Sequence, residues 1–193
     1  MPAELNIPTR LETPKGLRIH IGLFGRRNAG KSSLINALTN QQIAIVSDVP
    51  GTTTDPVEKA CELAPVGPVV FIDTAGIDDV GKLGHLRTDR TMSVLGWMDL
   101  ALIVCDAAGI TDYEKELFRI VTANKTPAIV VLNKTDLHAP EAPVISTIKS
   151  FNLPFVSVSA SEHIGIDTLR SAIIRTIQEE TEPDRPMMEG LIS

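Results

Sequence analysis

A stretch near the start of the chain, GLFGRRNAGKSSLINALT, places glycines, a lysine and serines between an apolar run and an amphipathic one. Within it, Gly25, Gly30, Lys31 and Ser32 have the spacing GxxxxGKS. Glycines let backbone N–H groups converge on phosphate oxygens, the lysine adds a positive charge, and the serine hydroxyl is a ligand for Mg²⁺. The spacing therefore predicts a P-loop that binds the phosphates of a nucleoside triphosphate.

The remaining residues of this loop flank the same phosphates. We expect further nucleotide contacts from Arg27, Asn28, Ala29 and Ser33. Arg26 and Arg27 are poorly placed to act as an arginine finger, so both are interpreted as surface charges near the phosphates.

A second motif, Asp73-Thr74-Ala75-Gly76, begins at the last residue of the apolar segment VVFID. An acidic residue at this point can hold Mg²⁺ through water, and the Gly76 N–H can face the γ-phosphate. One hydroxyl of the loop threonines at 52–54, which we assign to Thr53, is expected to complete the Mg²⁺ shell. The predicted Mg²⁺ ligands are therefore Ser32, Thr53 and Asp73.

The most discriminating motif is Asn133-Lys134-Thr135-Asp136, which directly follows the apolar segment AIVVL. An aspartate carboxylate accepts from both N1–H and N2–H₂ of guanine, and adenine lacks this pair of donors. We therefore expect Asn133, Lys134 and Asp136 to select guanine. Ser159-Ala160 is a weaker signal: either the Ala160 N–H faces guanine O6, or the pair is an ordinary loop after a strand.

Hydrophobic periodicity alternates between strand and helix patterns along the chain. It predicts strands at 17–24, 57–63, 69–72, 100–105, 128–132 and 154–158, and helices at 31–38, 111–123, 141–150 and 165–179. Alternation of this kind indicates parallel strands joined by crossover helices, in a three-layer α/β domain. Its ligands are expected beyond the carboxyl ends of the strands.

Length and composition limit the possible functions. The 193 residues suit one globular domain, and a net charge of −6 gives no general attraction to nucleic acid or anionic lipid. The apolar runs are too short for a membrane span, and the segment MPAELNIPTRLETPKG lacks the features of a secretory signal, so a cytoplasmic location is expected. Cys61 and Cys105 have no metal-ligand spacing and are interpreted as buried apolar residues.

In this order and spacing, the signals GRRNAGKS, GTT, DTAG, NKTD and SA resemble those of the P-loop GTPases related to translation factors, over residues 17–179. The resemblance implies a Ras-like fold, with a six-stranded mostly parallel sheet flanked by helices. It implies catalytic roles for Lys31, Thr53 and Gly76, and loops near the last two that switch with the nucleotide. Ile77 stands where the Ras-like branch has a water-orienting glutamine, so hydrolysis is expected to be slow without an effector.

The pattern GxxNxGKS followed by a GTT loop is similar to the TrmE/Era-type branch of these GTPases. That resemblance implies that Asn28 binds K⁺ beside the phosphates, together with backbone oxygens at Ser47 and Val49, and so takes part in catalysis. The alternative for Asn28 is a turn residue that tolerates a left-handed conformation.

The strings GRRNAGKSSLINALT, AIVSDVPGTTTDPV, GPVVFIDTAGIDD and LGHLR resemble the GTPase domain of the HydF family of FeFe-hydrogenase maturation GTPases. This resemblance implies a switch in maturation of the hydrogenase active site, with the hydrogenase and other maturation proteins as partners. It also implies a dimerisation domain and a domain that binds an iron–sulfur cluster, both beyond this chain, and a dimeric full-length protein. The predicted divisions are an N-terminal extension (1–16), the GTP-binding domain (17–180) and a linker (181–193).

Two other interpretations share the same core. In the first, the GTPase belongs to a tRNA-modifying or ribosome-assembly protein, although the acidic charge and the lack of interleaved basic and aromatic residues weigh against direct RNA binding. In the second, the domain is a nucleotide-loaded interaction module that scarcely hydrolyses GTP. The interaction module differs from the hydrolysing switch only in its hydrolysis rate, which the motifs do not set.

Overall fold

Strands and helices alternate along the chain, in a computed structural model that describes residues 18–40, 57–74 and 91–181. The strands are β1 (Ile19–Phe24), β2 (Val57–Leu63), β3 (Gly67–Asp73), β4 (Leu100–Asp106), β5 (Ala128–Asn133) and β6 (Phe155–Ser157). The helices are α1 (Lys31–Asn40), α2 (Asp112–Asn124), α3 (Ala142–Ser150) and α4 (Ile166–Thr181), and a helical turn spans 91–95. None of the helices in these three described ranges is long and apolar enough to cross a membrane.

The strands form one six-stranded sheet in the order β2-β3-β1-β4-β5-β6. All neighbouring pairs are parallel except β2 and β3, which form an antiparallel edge pair. β3 begins at Gly67, earlier than predicted, because Gly67 and Pro68 still pair with Leu63 and Glu62 of β2. The chain leaves β1 towards β3 on one side and later reaches β4 on the other, and such a reversal of strand order is where ligands bind in open α/β sheets.

The sheet is covered on both faces, which explains why its central strands are apolar throughout. In β4, Leu102 and Val104 pack on one face, whereas Ile103 and Cys105 pack on the other. Residues from the helices complete the two cores: Leu34, Leu38, Leu169 and Ile173 of α1 and α4 on the first face, and Leu117, Phe118, Val144 and Ile148 of α2 and α3 on the second. This three-layer arrangement confirms the predicted fold class.

Both cysteines are packing residues, as predicted. Cys61 and Cys105 are buried and free. Burial raises the pKa of the Cys61 thiol to about 11 and raises the pKa of the Cys105 thiol as well. Both thiols are therefore protonated at neutral pH and behave as small apolar groups.

Candidate functional site

The residues that the sequence analysis singled out lie on loops at the carboxyl ends of neighbouring strands. The P-loop connects β1 to α1, Asp73 ends β3, Asn133 ends β5, and Ser159 follows β6. Because β1, β3, β5 and β6 run in the same direction, these ends meet at one edge of the sheet. Hydrogen bonds between the loops join them into one site.

Three residues of the P-loop have a left-handed backbone: Gly25 (φ 145°), Asn28 (φ 64°) and Gly30 (φ 95°). A Cβ atom on Gly25 would lie 2.2 Å from the Val104 carbonyl oxygen, and one on Gly30 would lie 2.2 Å from Asn133 Nδ2. Only glycine fits these two positions, whereas asparagine is among the residues that tolerate this conformation. The two glycines of the motif thus let the loop pack against β4 and against the loop after β5.

Gly30→Ala is expected to lower the free energy of unfolding by about 2–4 kcal/mol, because the new methyl group strains the backbone and displaces the Asn133 side chain. The matched control is Gly109→Ala, since a Cβ there would meet no heavy atom within 4 Å. We expect the control to change stability by less than about 0.5 kcal/mol. Chemical denaturation of both variants checks the prediction, and equal stabilities would contradict it.

Lys31 begins α1 directly behind the loop, and its side chain is 5% exposed. Its ammonium group donates to the carbonyl oxygens of Gly25 and Arg26, the second at 3.1 Å. The charge is thus held inside the curve of the P-loop, next to the N-terminus of α1. A helix N-terminus and a lysine at the same point attract anionic oxygens.

Ser32 and Asp73 meet across the sheet edge. Ser32 Oγ donates to Asp73 Oδ2 at 2.6 Å, and Asp73 itself is buried. Beside them, Thr74 Oγ1 donates to the Leu23 carbonyl oxygen at 2.6 Å, which ties the end of β3 to β1. A hydroxyl and a carboxylate are oxygen ligands of the kind Mg²⁺ prefers, so these two residues fit the predicted ion.

Asn133 links the P-loop to the loop after β6. Its Nδ2 donates to the Ala29 carbonyl oxygen at 2.9 Å, and its Oδ1 accepts from the Ala160 N–H at 3.1 Å. The Ala160 N–H, for which the sequence analysis left open a contact with guanine O6 or an ordinary loop, donates here to Asn133. The reason is that β5 and β6 are paired neighbours, which brings Ala160 beside the end of β5.

The carboxylate of Asp136 is oriented by a buried serine. Ser159 Oγ donates to Asp136 Oδ1 at 2.6 Å and accepts from the Glu162 N–H at 3.2 Å. Ser159 is 0% exposed, whereas Asp136 is exposed. The aspartate therefore stands at the surface of the site with its direction set from below.

Lys134 is held by an aspartate that the sequence analysis missed. Its ammonium lies 2.9 Å from Asp106 Oδ2, and Asp106 Oδ1 accepts from the Ala108 N–H at 3.0 Å. Partial burial alone would raise the pKa of Asp106, but the Ala108 N–H and the Lys134 ammonium lower that pKa below its ordinary value. The available signal was positional: Asp106 ends β4 just as Asp73 ends β3.

The sequence analysis interpreted Arg26 as a surface charge near the phosphates, but its side chain is paired with a buried glutamate. Its Nε donates to Glu114 Oε1, and Glu114 is 0% exposed. The pattern T-x-x-E at 111–114 marks a helix start and was the only sequence signal at Glu114.

The other predicted residues either lie at the surface or fall outside the described part of the chain. Arg27, Asn28 and Ser33 are exposed on the P-loop and at the start of α1. The predictions for Ser47, Val49, Thr53 and Gly76 concern positions outside the described residues. Within the described ranges, no group of three or more His, Cys, Asp or Glu side chains is arranged to hold a metal ion.

A P-loop, an aspartate at the end of β3 and an asparagine–aspartate loop at one sheet edge define a nucleotide-binding α/β domain. A family model described as 50S ribosome-binding GTPase matches residues 20–134. The tRNA modification GTPase MnmE of Picosynechococcus sp. is 37% identical over 171 residues, which cover 83% of this chain and 35% of that protein. GTPase Der of Wolinella succinogenes is 35% identical over 177 residues, which cover 86% of this chain and 37% of that protein.

Solved structures agree with this class. Aquifex aeolicus Era bound to GDP and AlF₄⁻ has a TM-score of 0.62 and 27% identity, covering 90% of this chain and 59% of Era. The elongation factor SelB of Methanococcus maripaludis, in complex with a GTP analogue, has a TM-score of 0.64 at 24% identity, covering 91% of this chain and 36% of that chain, and shows the fold alone.

The chain belongs to the 50S ribosome-binding GTPase family, whose family model matches it. It is a GTP-binding GTPase domain of the TrmE/Era/Der type. It spans a little over a third of the length of the curated MnmE and Der relatives.

Proposed function

We propose that this domain binds Mg²⁺ and GTP, hydrolyses GTP slowly without an effector, and works as a switch in a larger cytoplasmic protein. The observation that supports this most directly is the Asn133 side chain, which bonds the P-loop at Ala29 and the loop after β6 at Ala160. It joins a phosphate-binding loop to a guanine-selective motif at a fixed distance. A dinucleotide or a nucleotide with another base would not require this combination.

The phosphate half of the proposed site consists of the P-loop and the start of α1. Backbone N–H groups from Gly25 to Ser33 and the Lys31 ammonium bind the phosphates. Ser32 and Asp73, already in contact at 2.6 Å, hold Mg²⁺, directly or through water. The ion neutralises charge on the β- and γ-phosphates. Thr53 and Gly76 are proposed to complete the Mg²⁺ shell and to hold the attacking water.

The base half of the proposed site reads guanine. Asp136 accepts from guanine N1–H and N2–H₂, with its orientation set by the Ser159 hydroxyl. Lys134, held by Asp106, lies at the side of the same loop and covers the base. The Ala160 N–H is shared between Asn133 and guanine O6. Because adenine offers no donor pair to Asp136, it forms none of the hydrogen bonds that guanine forms there and is rejected.

Asn28 is proposed as a ligand of K⁺. It is exposed on the P-loop in a left-handed conformation, and its side-chain amide offers an oxygen donor of the kind that hard cations bind. The backbone oxygens of Ser47 and Val49 are the proposed further ligands. Bound K⁺ supplies positive charge beside the phosphates, where other GTPases insert an arginine.

Steady-state phosphate release with Mg²⁺ tests both nucleotide choice and the cation. We expect hydrolysis of GTP and not of ATP, and a rate about tenfold higher in KCl than in NaCl at matched ionic strength. Asn28→Gly is expected to remove the KCl advantage, because glycine keeps the left-handed backbone and loses only the amide oxygen.

The matched control is Asn152→Gly, at another exposed left-handed asparagine (φ 56°) in the turn after α3. This variant should keep the wild-type response to KCl. Equal rates in KCl and NaCl for the wild-type domain would make Asn28 a turn residue, and a protein partner would have to supply the missing charge. Hydrolysis of ATP at a similar rate would contradict the guanine assignment.

For the full-length protein, we propose a role in maturation of the FeFe-hydrogenase active site, with the hydrogenase and other maturation proteins as partners. The strings GTTTDP and DTAGIDD, through their resemblance to the HydF family, support this proposal. An iron–sulfur cluster and the contacts for a dimer are proposed for other domains of that protein. The net charge of −6 favours protein partners over direct nucleic-acid binding.

The second candidate is a role in tRNA modification or ribosome assembly, favoured by the identity to MnmE and Der. Deletion of the gene in a host that makes an FeFe-hydrogenase separates the two candidates. We expect loss of hydrogenase activity, with the hydrogenase polypeptide still present and tRNA nucleosides unchanged by mass spectrometry. Loss of a modified nucleoside, or of a ribosomal subunit peak, with hydrogenase intact would support the second candidate instead.

A further inference from the structure

We propose that Glu114 is a positioning residue that acts through Arg26 on the P-loop and on Lys31, which are proposed to bind the phosphates. This inference rests on the nucleotide site proposed above. Glu114 lies outside every motif that the nucleotide would touch, on helix α2. It is a carboxylate with no exposed surface, on a helix whose Leu117 and Phe118 belong to the apolar core on the second face of the sheet. Its two oxygens have different partners: Oε2 accepts from Thr111 and Oε1 accepts from Arg26.

One carboxylate oxygen serves the helix to which Glu114 belongs. Oε2 accepts from the Thr111 backbone N–H at 2.8 Å and from the Thr111 hydroxyl, which forms a capping box at the start of α2. A glutamine fills this role as well as a glutamate, because the box needs only one acceptor oxygen. Capping therefore does not account for a buried negative charge.

The other oxygen serves the P-loop. Oε1 accepts from Arg26 Nε, in an ion pair whose carboxylate is fully buried while the arginine side chain is 40% exposed. A buried charge is strongly disfavoured unless it is paired, so the charge at Glu114 is matched to Arg26. The pair joins residues that are 88 positions apart in the chain and ties the P-loop to the start of α2.

Arg26 connects the Glu114 ion pair to Lys31 through its own backbone. Its carbonyl oxygen accepts from Lys31 Nζ at 3.1 Å and from the Ala29 N–H at 3.2 Å. The preceding residue, Gly25, is already packed against the Val104 carbonyl of β4. With the side chain of Arg26 held by Glu114, the peptide group that directs Lys31 is fixed from both sides. Loss of the ion pair is therefore expected to loosen the lysine that meets the phosphates.

The test compares Glu114→Gln with Glu116→Gln, on the full-length protein and on this domain. Glu116 is the matched control. It lies on the same helix, its side chain is half exposed, and its carboxylate pairs with Arg119 one turn further along that helix. The measurement is the dissociation rate of a fluorescent GDP, together with the number of sites per chain. We expect Glu114→Gln to raise the dissociation rate about tenfold with unchanged stoichiometry, and Glu116→Gln to stay within about twofold of wild type.

Stoichiometry separates positioning from a purely structural role. A variant that merely unfolds in part loses sites, while the folded molecules keep the wild-type dissociation rate. A raised rate at full stoichiometry therefore supports the proposal. A Glu114→Gln rate within about twofold of wild type at full stoichiometry, or lost sites with an unchanged rate, would overturn it.

Arg26 variants provide a second test of the ion pair, and this test still applies if Glu114→Gln does not fold. Arg26→Met should raise the dissociation rate as Glu114→Gln does, and Arg26→Lys should restore part of the loss because it keeps a cation beside Glu114. The double variant Arg26→Met with Glu114→Gln should be no worse than the worse single variant, since both act through one bond. Equal rates for wild type, Arg26→Met and Arg26→Lys, or fully additive effects, would overturn the inference.

Failure of wild type and Glu116→Gln to bind GDP would instead overturn the proposed function, and this inference with it.

Discussion

Lys31→Met is expected to lower kcat/KM for GTP by about 10³-fold, the largest loss of any substitution in the phosphate half of the site. The ammonium is almost fully buried and is already directed into the P-loop by two carbonyl oxygens. A charge held in this way acts on the phosphates at low dielectric and without reorganisation, so its removal costs more than that of an exposed lysine. Methionine keeps the length of the side chain and removes only the charge and its donors.

The effect of Lys31→Met on catalysis must be measured separately from its effect on the stability of the fold. Without the ammonium, the carbonyl oxygens of Gly25 and Arg26 lose a donor, which we expect to lower the free energy of unfolding by about 1–3 kcal/mol. Single-turnover phosphate release, measured from subsaturating to saturating concentrations on protein shown by denaturation to be folded, gives both kcat/KM and the rate of the chemical step. Lys115→Met is the matched control, because the Lys115 side chain is partly exposed on α2 and pairs with Asp112. A Lys31→Met variant that hydrolyses GTP as fast as the control would refute the proposed role.

The parts of the site that could be predicted from sequence are those carried by contiguous residues. In GxxxxGKS the glycines, Lys31 and Ser32 lie on one loop, so their spacing alone predicts that they share one ligand. Strand and helix patterns placed this loop and the NKTD loop at strand ends, and parallel order then placed them at the same edge. Asp73 was found in the same way, because it ends a strand.

The parts that could not be predicted are partnerships between distant residues. Asn133 bonds Ala29 across 104 positions, and which backbone groups it meets depends on the packing of the P-loop against β5. Glu114 has a local signal only for its capping oxygen, and nothing in the spacing indicates that its other oxygen meets Arg26. Side chains that hold other side chains have no fixed spacing from the ligand, so the folded structure is needed to find them.

Asp136→Asn is expected to exchange guanine for xanthine as the preferred base. The variant loses the carboxylate that we propose accepts from guanine N1–H and N2–H₂, and an amide N–H₂ would then face the donors of the base. We expect GDP affinity to fall about 10³-fold, because the bound base would cover an amide donor that has no acceptor, which costs far more than a missing apolar contact. Xanthine carries an oxygen at position 2, which accepts from this amide, so XDP should bind more tightly than GDP.

The direction of the amide follows from Ser159. In the wild-type domain the Ser159 hydroxyl donates to Asp136 Oδ1 at 2.6 Å, closer than its other hydroxyl neighbour, Ser161 Oγ, at 3.1 Å. In Asp136→Asn this hydroxyl hydrogen selects the amide oxygen and leaves the amide nitrogen towards the base. Adding Ser159→Ala to Asp136→Asn should therefore reduce the preference for xanthine, since either amide rotamer becomes accessible.

Competition between fluorescent GDP and unlabelled XDP or GDP measures the preference in each variant. Asp112→Asn is the matched control, because Asp112 is fully exposed at the start of α2 and should leave the guanine preference unchanged. If Asp136→Asn keeps the guanine preference, another group must read the base, and the Ala160 N–H beside Asn133 is then the residue to examine. A switch to xanthine that survives Ser159→Ala would show that Asp136 selects the base without being oriented by the serine.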